Sequence, residues 1–112
     1  MVTAASESLD LEILARVGLA LADDSRRRLL VELAGGPAYP SDLADTLGLT
    51  RANVSNHLAC LRGCGLVVAE PEGRRVRYEL ADPRLGHALR GLLELVLATD
   101  PSMCPTADDG CC

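Results

Sequence analysis

The sequence predicts a mainly α-helical single domain with one β-hairpin, in the order α-α-α-α-β-β-α. Three observations carry that prediction. Apolar residues recur at helical spacing over most of the chain. The period drops to two only between Leu66 and Leu80. Two short helical segments meet at the three-residue joint "GLT", Gly48 to Thr50, and so tight a joint is characteristic of a helix-turn-helix.

In the first helix Leu9, Ile13, Val17 and Ala20 form one apolar stripe, with Leu14 and Leu21 as a second beside it. A helix apolar on two sides is covered on two sides, in part by another subunit. The second helix begins at "DDS", with Asp24 or Ser25 as N-cap. It runs through Leu29, Leu30 and Leu33 and stops at Gly35–Pro37. Ser41 caps a short third helix that Gly48 ends, and Thr50 caps a fourth over about Arg51 to Arg62, ending near Gly63 or Gly65. "LVVAE" then reads as a strand, "PEG" as a turn and "RRVRYEL" as the return strand. Along the return strand Val76, Tyr78 and Leu80 share one face, and Arg75, Arg77 and Glu79 the other. A hairpin placed directly after a helix-turn-helix makes the pattern a winged helix-turn-helix, with the hairpin as its wing. Asp82 caps a last helix carrying Leu85, Leu89, Leu92, Leu93 and Val96, which Pro101 prevents from continuing. Residues 1–100 therefore read as one winged-helix and dimerisation domain, and 101–112 as a Cys-rich tail.

Composition sets bounds on this reading. A chain of 112 residues builds a modest core alone, which favours a homodimer. With two Tyr and no Phe or Trp, that core is aliphatic. The N-terminus lacks a basic start followed by an apolar run, and no stretch is long and apolar enough for a membrane span. The expectation is a cytoplasmic protein whose five cysteines are reduced thiols or metal ligands rather than disulfides.

The net charge of −5 argues against nucleic acid until its distribution is considered. Between Arg51 and Arg77 five Arg face two acids, Glu70 and Glu72. A locally basic segment of an acidic protein can still meet phosphate. On a helical wheel, Val54, Leu58 and Leu61 form the core stripe of the fourth helix. Arg51, Ser55, Ala59 and Arg62 lie on one flank and Asn56 further round; Cys60 and Cys64 fall on the opposite flank beside His57. Ser55 and Asn56 can hydrogen-bond base edges, and Arg51 can grip guanine or phosphate. Arg74, Arg75 and Arg77 suit a wing that contacts the backbone or minor groove of double-stranded DNA.

Cys60 and Cys64, four residues apart, lie about 5–6 Å apart at Cβ on one helix face. Two thiolates there can share one ion. A third ligand must come from elsewhere, and Cys104 in the tail offers the matching chemistry. Three sulfurs favour soft ions such as Cd(II) or Pb(II); Zn(II) also binds thiolates but normally takes four protein ligands in a structural site. The plainer reading is that these cysteines are small apolar packing residues. Cys111 and Cys112 form a possible second site or are simply tail residues. His57 reads as a packing residue, and His87 as exposed or at an interface.

The stretches "LADDSRRRLLVEL", "PSDLADTLGLTRANVSNHLACLRGCGLV" and "EGRRVRYEL" resemble the ArsR/SmtB family of bacterial metal-sensing repressors, and within it the CmtR type of Cd/Pb sensor. The resemblance implies a repressor that binds operator DNA without metal. It also implies that Cys60, Cys64 and Cys104 are the metal ligands, with the tail cysteine supplied by the partner subunit. Two other metal sites of the family have no counterpart. "AYPSDLA" holds no Cys-x-Cys, and the last helix offers only His87 and Glu94, seven residues apart. The role of Cys111 and Cys112 lies outside the pattern. Other readings of the same residues are a thiol redox repressor, a constitutive DNA- or partner-binding module with inert thiols, and a cysteine enzyme pairing Cys60 with His57. The last is disfavoured, because nothing in so small a chain suggests an oxyanion site or substrate pocket.

Overall fold

The computed structural model describes residues 4–98 and residue 102, with side chains from residue 11 onward. The elements are α1 (Ala4–Ala22), α2 (Asp24–Ala34), α3 (Pro40–Leu47), α4 (Arg51–Gly63), β1 (Val67–Glu72), β2 (Arg75–Leu80) and α5 (Pro83–Leu93). This is the winged helix-turn-helix order expected from the sequence.

The helix starts follow capping chemistry. Asp23, rather than Asp24 or Ser25, caps α2: its carboxylate accepts the Arg26 N–H at 3.0 Å, because α1 runs to Ala22 and leaves Asp23 extended. α3 starts one residue before the expected cap Ser41. Pro40 occupies its first turn, Tyr39 is the N-cap, and no side chain makes the cap bond. Proline's fixed φ is pre-set for that position and its missing N–H costs nothing there. Thr50 caps α4 as expected, accepting the Asn53 N–H at 3.1 Å. Asp82 caps α5 through the Arg84 N–H at 2.9 Å. Between α3 and α4 the chain turns at Gly48, whose φ of +67° is a left-handed conformation that glycine adopts without a Cβ clash.

α2 lies at the centre and packs against every other helix and β2. Its Leu29, Leu30 and Leu33 meet Leu43 and Ala44 of α3 and Val54, Leu58 and Leu61 of α4. Ala20, Leu66, Val67 and Leu89 complete the aliphatic core. The stripe expected on the fourth helix is therefore its buried face. Truncating one of these fully buried leucines to Ala costs about 2–5 kcal/mol in such a core.

The hairpin is antiparallel, with Val67 opposite Leu80 and Glu72 opposite Arg75. Its turn is Gly73–Arg74, two residues beyond the expected start at Pro71. Gly73 has φ +62°, the first position of a tight hairpin turn. Pro71 is tolerated because each strand of a two-stranded sheet has a free edge. Backbone bonds between Ala38 and Tyr78, at 2.8 and 2.9 Å, tie the loop before α3 to β2. Tyr78 and Leu80 pack on the core as expected, but Val76 is exposed, since the wing projects past the body. The last helix also differs: α5 ends at Leu93, and Leu95, Val96 and Leu97 lie exposed beyond it. The side chain of Leu9 lies outside the described residues.

Candidate nucleic-acid interface and thiol site

With Val54, Leu58 and Leu61 buried, α4 presents Arg51, Ser55, Asn56, Ala59 and Arg62 to solvent. Side chains able to read base edges thus stand on the open side of the second helix of the helix-turn-helix.

The wing arginines fall into three states. Arg74, at the turn, is exposed. Arg75 reaches back to α3: Nη2 lies 3.2 Å from Oδ2 of Asp42, and the guanidinium sits 3.6 Å over the Tyr39 ring centroid. Arg77 pairs with Glu72 at 2.7 Å, and its Nε is buried. Tyr39 donates its hydroxyl to Glu72 at 2.5 Å, a bond to a carboxylate that raises the Tyr39 pKa above its ordinary value. Tyr39, Asp42, Glu72, Arg75 and Arg77 therefore form one polar clasp between α3 and the wing. Sequence reading identified the arginines but missed the clasp, because its members lie 33 residues apart.

The thiols occupy another edge of α4. Cys64 is the C-cap residue, and its N–H donates to the Cys60 carbonyl at 3.0 Å, so the last turn holds the pair one above the other. Cys60 is exposed, Cys64 is half-buried, and both are free. Both line one cavity of about 160 Å³ with Leu19, Ala20, Arg26 and Leu61. Arg26 donates to the Cys60 sulfur at 3.4 Å, a contact not foreseen from the sequence. His57 lies 3.9 Å from the Asp23 carboxylate, and the cap bond from Arg26 N–H is the main cause of the lowered Asp23 pKa. Two sulfurs on one edge match the donor chemistry of a soft ion but give only part of a coordination sphere. Among the described residues no group of three metal-ligating side chains converges. Cys104, Cys111 and Cys112 lie outside the described residues.

Residues 23–68 match the model of a known family, described as "Bacterial regulatory protein, arsR family". Over 87 residues the chain is 64% identical to the HTH-type transcriptional regulator CmtR of Mycobacterium tuberculosis, covering 78% of this chain and 74% of that protein. The chain belongs to the ArsR family. The relatives of this ArsR chain are transcriptional regulators, not enzymes, and it is itself a regulator of that class. Its fold is similar to the NMR structure of the cadmium metal-sensor CMTR from M. tuberculosis. There the TM-score is 0.64 at 64% identity, covering 77% of this chain and 90% of the other. It is also similar to the homodimeric winged helix-turn-helix DNA-binding domain Mb0332 from Mycobacterium bovis. That match has a TM-score of 0.72 at 30% identity and covers 81% and 84% of the two chains. No described helix of the ArsR chain is long and apolar enough to cross a membrane.

Proposed function

We propose that this ArsR-family chain is a metal-responsive repressor. It binds operator DNA as a homodimer in the metal-free state and is released when a soft ion, Cd(II) or Pb(II), binds thiolates of Cys60, Cys64 and Cys104. One observation carries this reading. Two free thiols, joined by the last hydrogen-bonded turn of α4, share a cavity on an edge of the same helix that exposes Ser55 and Asn56. The similar M. tuberculosis protein is described as a cadmium metal-sensor, which supports the choice of ion.

Cys60 and Cys64 supply two soft donors, and Cys104, in the tail of residues 101–112, supplies the third. An ion drawn between helix and tail changes the position or mobility of the part that holds DNA. By linkage, DNA weakens metal binding by the same factor as metal weakens DNA binding. Arg51, Ser55 and Asn56 contact bases and nearby phosphates, and Arg74, Arg75 and Arg77 contact the backbone.

The dimer reading rests on apolar surface. Leu11, Ile13, Leu14 and Leu19 of α1 and Leu92 and Leu93 of α5 are all more than half exposed in the single chain. A second copy covers them, as the homodimeric state of the similar Mb0332 domain supports. Two copies of α4 then meet a pseudo-palindromic operator with half-sites about one helical turn apart. Operator binding with and without Cd(II), Pb(II) and Zn(II) under reducing conditions tests the proposal. Release that needs an oxidant rather than an ion would replace it with a thiol redox switch.

A further inference from the structure

The side chain of Arg26 is held between three elements. Its backbone N–H is fixed by the Asp23 cap at the start of α2. Its Nη2 donates to the Leu19 carbonyl at 2.9 Å, one of the last-turn carbonyls of α1 that have no partner within the helix. Its Nη1 donates to the Cys60 sulfur at 3.4 Å. Its Nε is buried and has no hydrogen-bond partner among the described residues. The guanidinium thus forms a wall of the cavity that both thiols line.

A neutral thiol is a weak acceptor, so this contact repays little of the water that the guanidinium gives up. A metal-bound thiolate is a charged acceptor, and charge-assisted bonds are about twice as strong as neutral ones. Three thiolates around a divalent ion also leave one net negative charge, which one guanidinium balances. The contact is therefore worth more with the ion bound than without it, and only such a difference favours the bound state.

We propose that Arg26 is a positioning residue of the thiol site: it donates to the metal-bound sulfur of Cys60 and offsets the charge of the ion–thiolate centre. The inference rests on the metal reading above and adds a residue that is not itself a ligand. Arg27 provides the control. It caps the same end of α1 through the Leu21 carbonyl at 2.8 Å but makes no hydrogen bond to sulfur among the described residues.

The test measures Cd(II) affinity by chelator competition, and sulfur-to-metal absorption in the ultraviolet, on the full chain and on Arg26→Gln, Arg26→Lys and Arg27→Gln. Metal-free operator binding and far-ultraviolet circular dichroism confirm that each variant is folded. Arg26→Gln is expected to weaken Cd(II) by about 10–100-fold, the usual loss when an outer partner of a ligand is removed. It should also move the absorption band to lower energy, because a thiolate without its donor holds its electrons less tightly. Arg26→Lys restores part of the affinity through its charge, and Arg27→Gln changes neither readout. Unchanged affinity and band in Arg26→Gln overturn the inference while leaving the metal reading intact. An equal loss in Arg27→Gln overturns it too, by making the effect one of capping α1. If the unsubstituted chain shows no sulfur-to-cadmium band, the metal reading fails and takes this inference with it.

Discussion

Arg75 is the residue at which the fold makes the sharpest claim about DNA. In the free chain its guanidinium is already engaged, 3.2 Å from the Asp42 carboxylate and 3.6 Å over the Tyr39 ring. Both charged side chains are more than half exposed, at 52% and 64%. An exposed ion pair contributes about 0.2–1 kcal/mol, and an exposed cation–π contact about 0.5–1 kcal/mol. Moving Arg75 onto a phosphate therefore gives up about 1–2 kcal/mol, which a close phosphate contact can offset. Arg75→Ala is expected to weaken binding on all sequences alike. It should also flatten the salt dependence by about 0.9 in log–log slope per lost phosphate, or about 1.8 for a symmetric dimer. Asp42→Asn removes the competing carboxylate and should tighten binding by up to about fivefold per subunit, or about 25-fold for a symmetric dimer, taking about 1.4 kcal/mol as a factor of ten. Fluorescence anisotropy on labelled operator over a range of salt concentrations measures both. An unchanged slope in Arg75→Ala would show that Arg75 is a strut between wing and α3, leaving Arg74 and Arg77 as the wing's phosphate contacts.

Thr50→Ala removes the cap of α4 and should cost about 1 kcal/mol, read as a lower urea midpoint with unchanged slope. Asp82 is held down to a pKa of about 2, chiefly by the side-chain hydrogen bond from Arg84 and then by its backbone N–H. Because the folded value is depressed, this contribution to stability is full above the ordinary carboxylate range near 4 and is lost as pH falls through about 2. Acid titration followed by circular dichroism should therefore show this component in the parent and not in Asp82→Ala. Leu14→Glu combined with Leu93→Glu alters two exposed positions, so the single chain should stay folded while its sedimentation mass falls from dimer to monomer.

The sequence was most legible where structure is local. The stripe of Val54, Leu58 and Leu61 and the caps Thr50 and Asp82 depend on spacings of two to four residues, and they stand where those spacings put them. The α2 cap was displaced by one residue because Asp23, Asp24 and Ser25 are all good cap types, and the end of α1 at Ala22 decides among them. α5 is shorter than its apolar pattern suggests: Val96 belongs to the pattern but lies beyond the end of the helix at Leu93 and faces solvent in the single chain. The long-range contacts were not legible at all. Arg26 and Cys60 are 34 residues apart, and Arg75 and Asp42 are 33 apart. Such pairs leave no period in the sequence, and only the packing of α2 against α4 and of α3 against the wing brings them together. The cysteine pair was visible because both members share one helix, whereas the link to Cys104 rests on the resemblance and on donor chemistry.

On the proposed mechanism, a soft ion bound by three thiolates releases the regulator from DNA. Its most direct test is operator anisotropy titrated with Cd(II) under full reduction, on the unsubstituted chain and on Cys60→Ser, Cys64→Ser and Cys104→Ser, with sulfur-to-metal absorption recorded on the same samples. The unsubstituted chain should lose operator affinity by a factor corresponding to at least about 1–3 kcal/mol of coupling, in step with the growth of the band. Each single substitution should keep metal-free DNA binding and lose both the full band and the release, while Cys111→Ser and Cys112→Ser change less. A Cys104→Ser chain that keeps the full band and the full release would contradict the account and leave a two-thiol or redox device in its place.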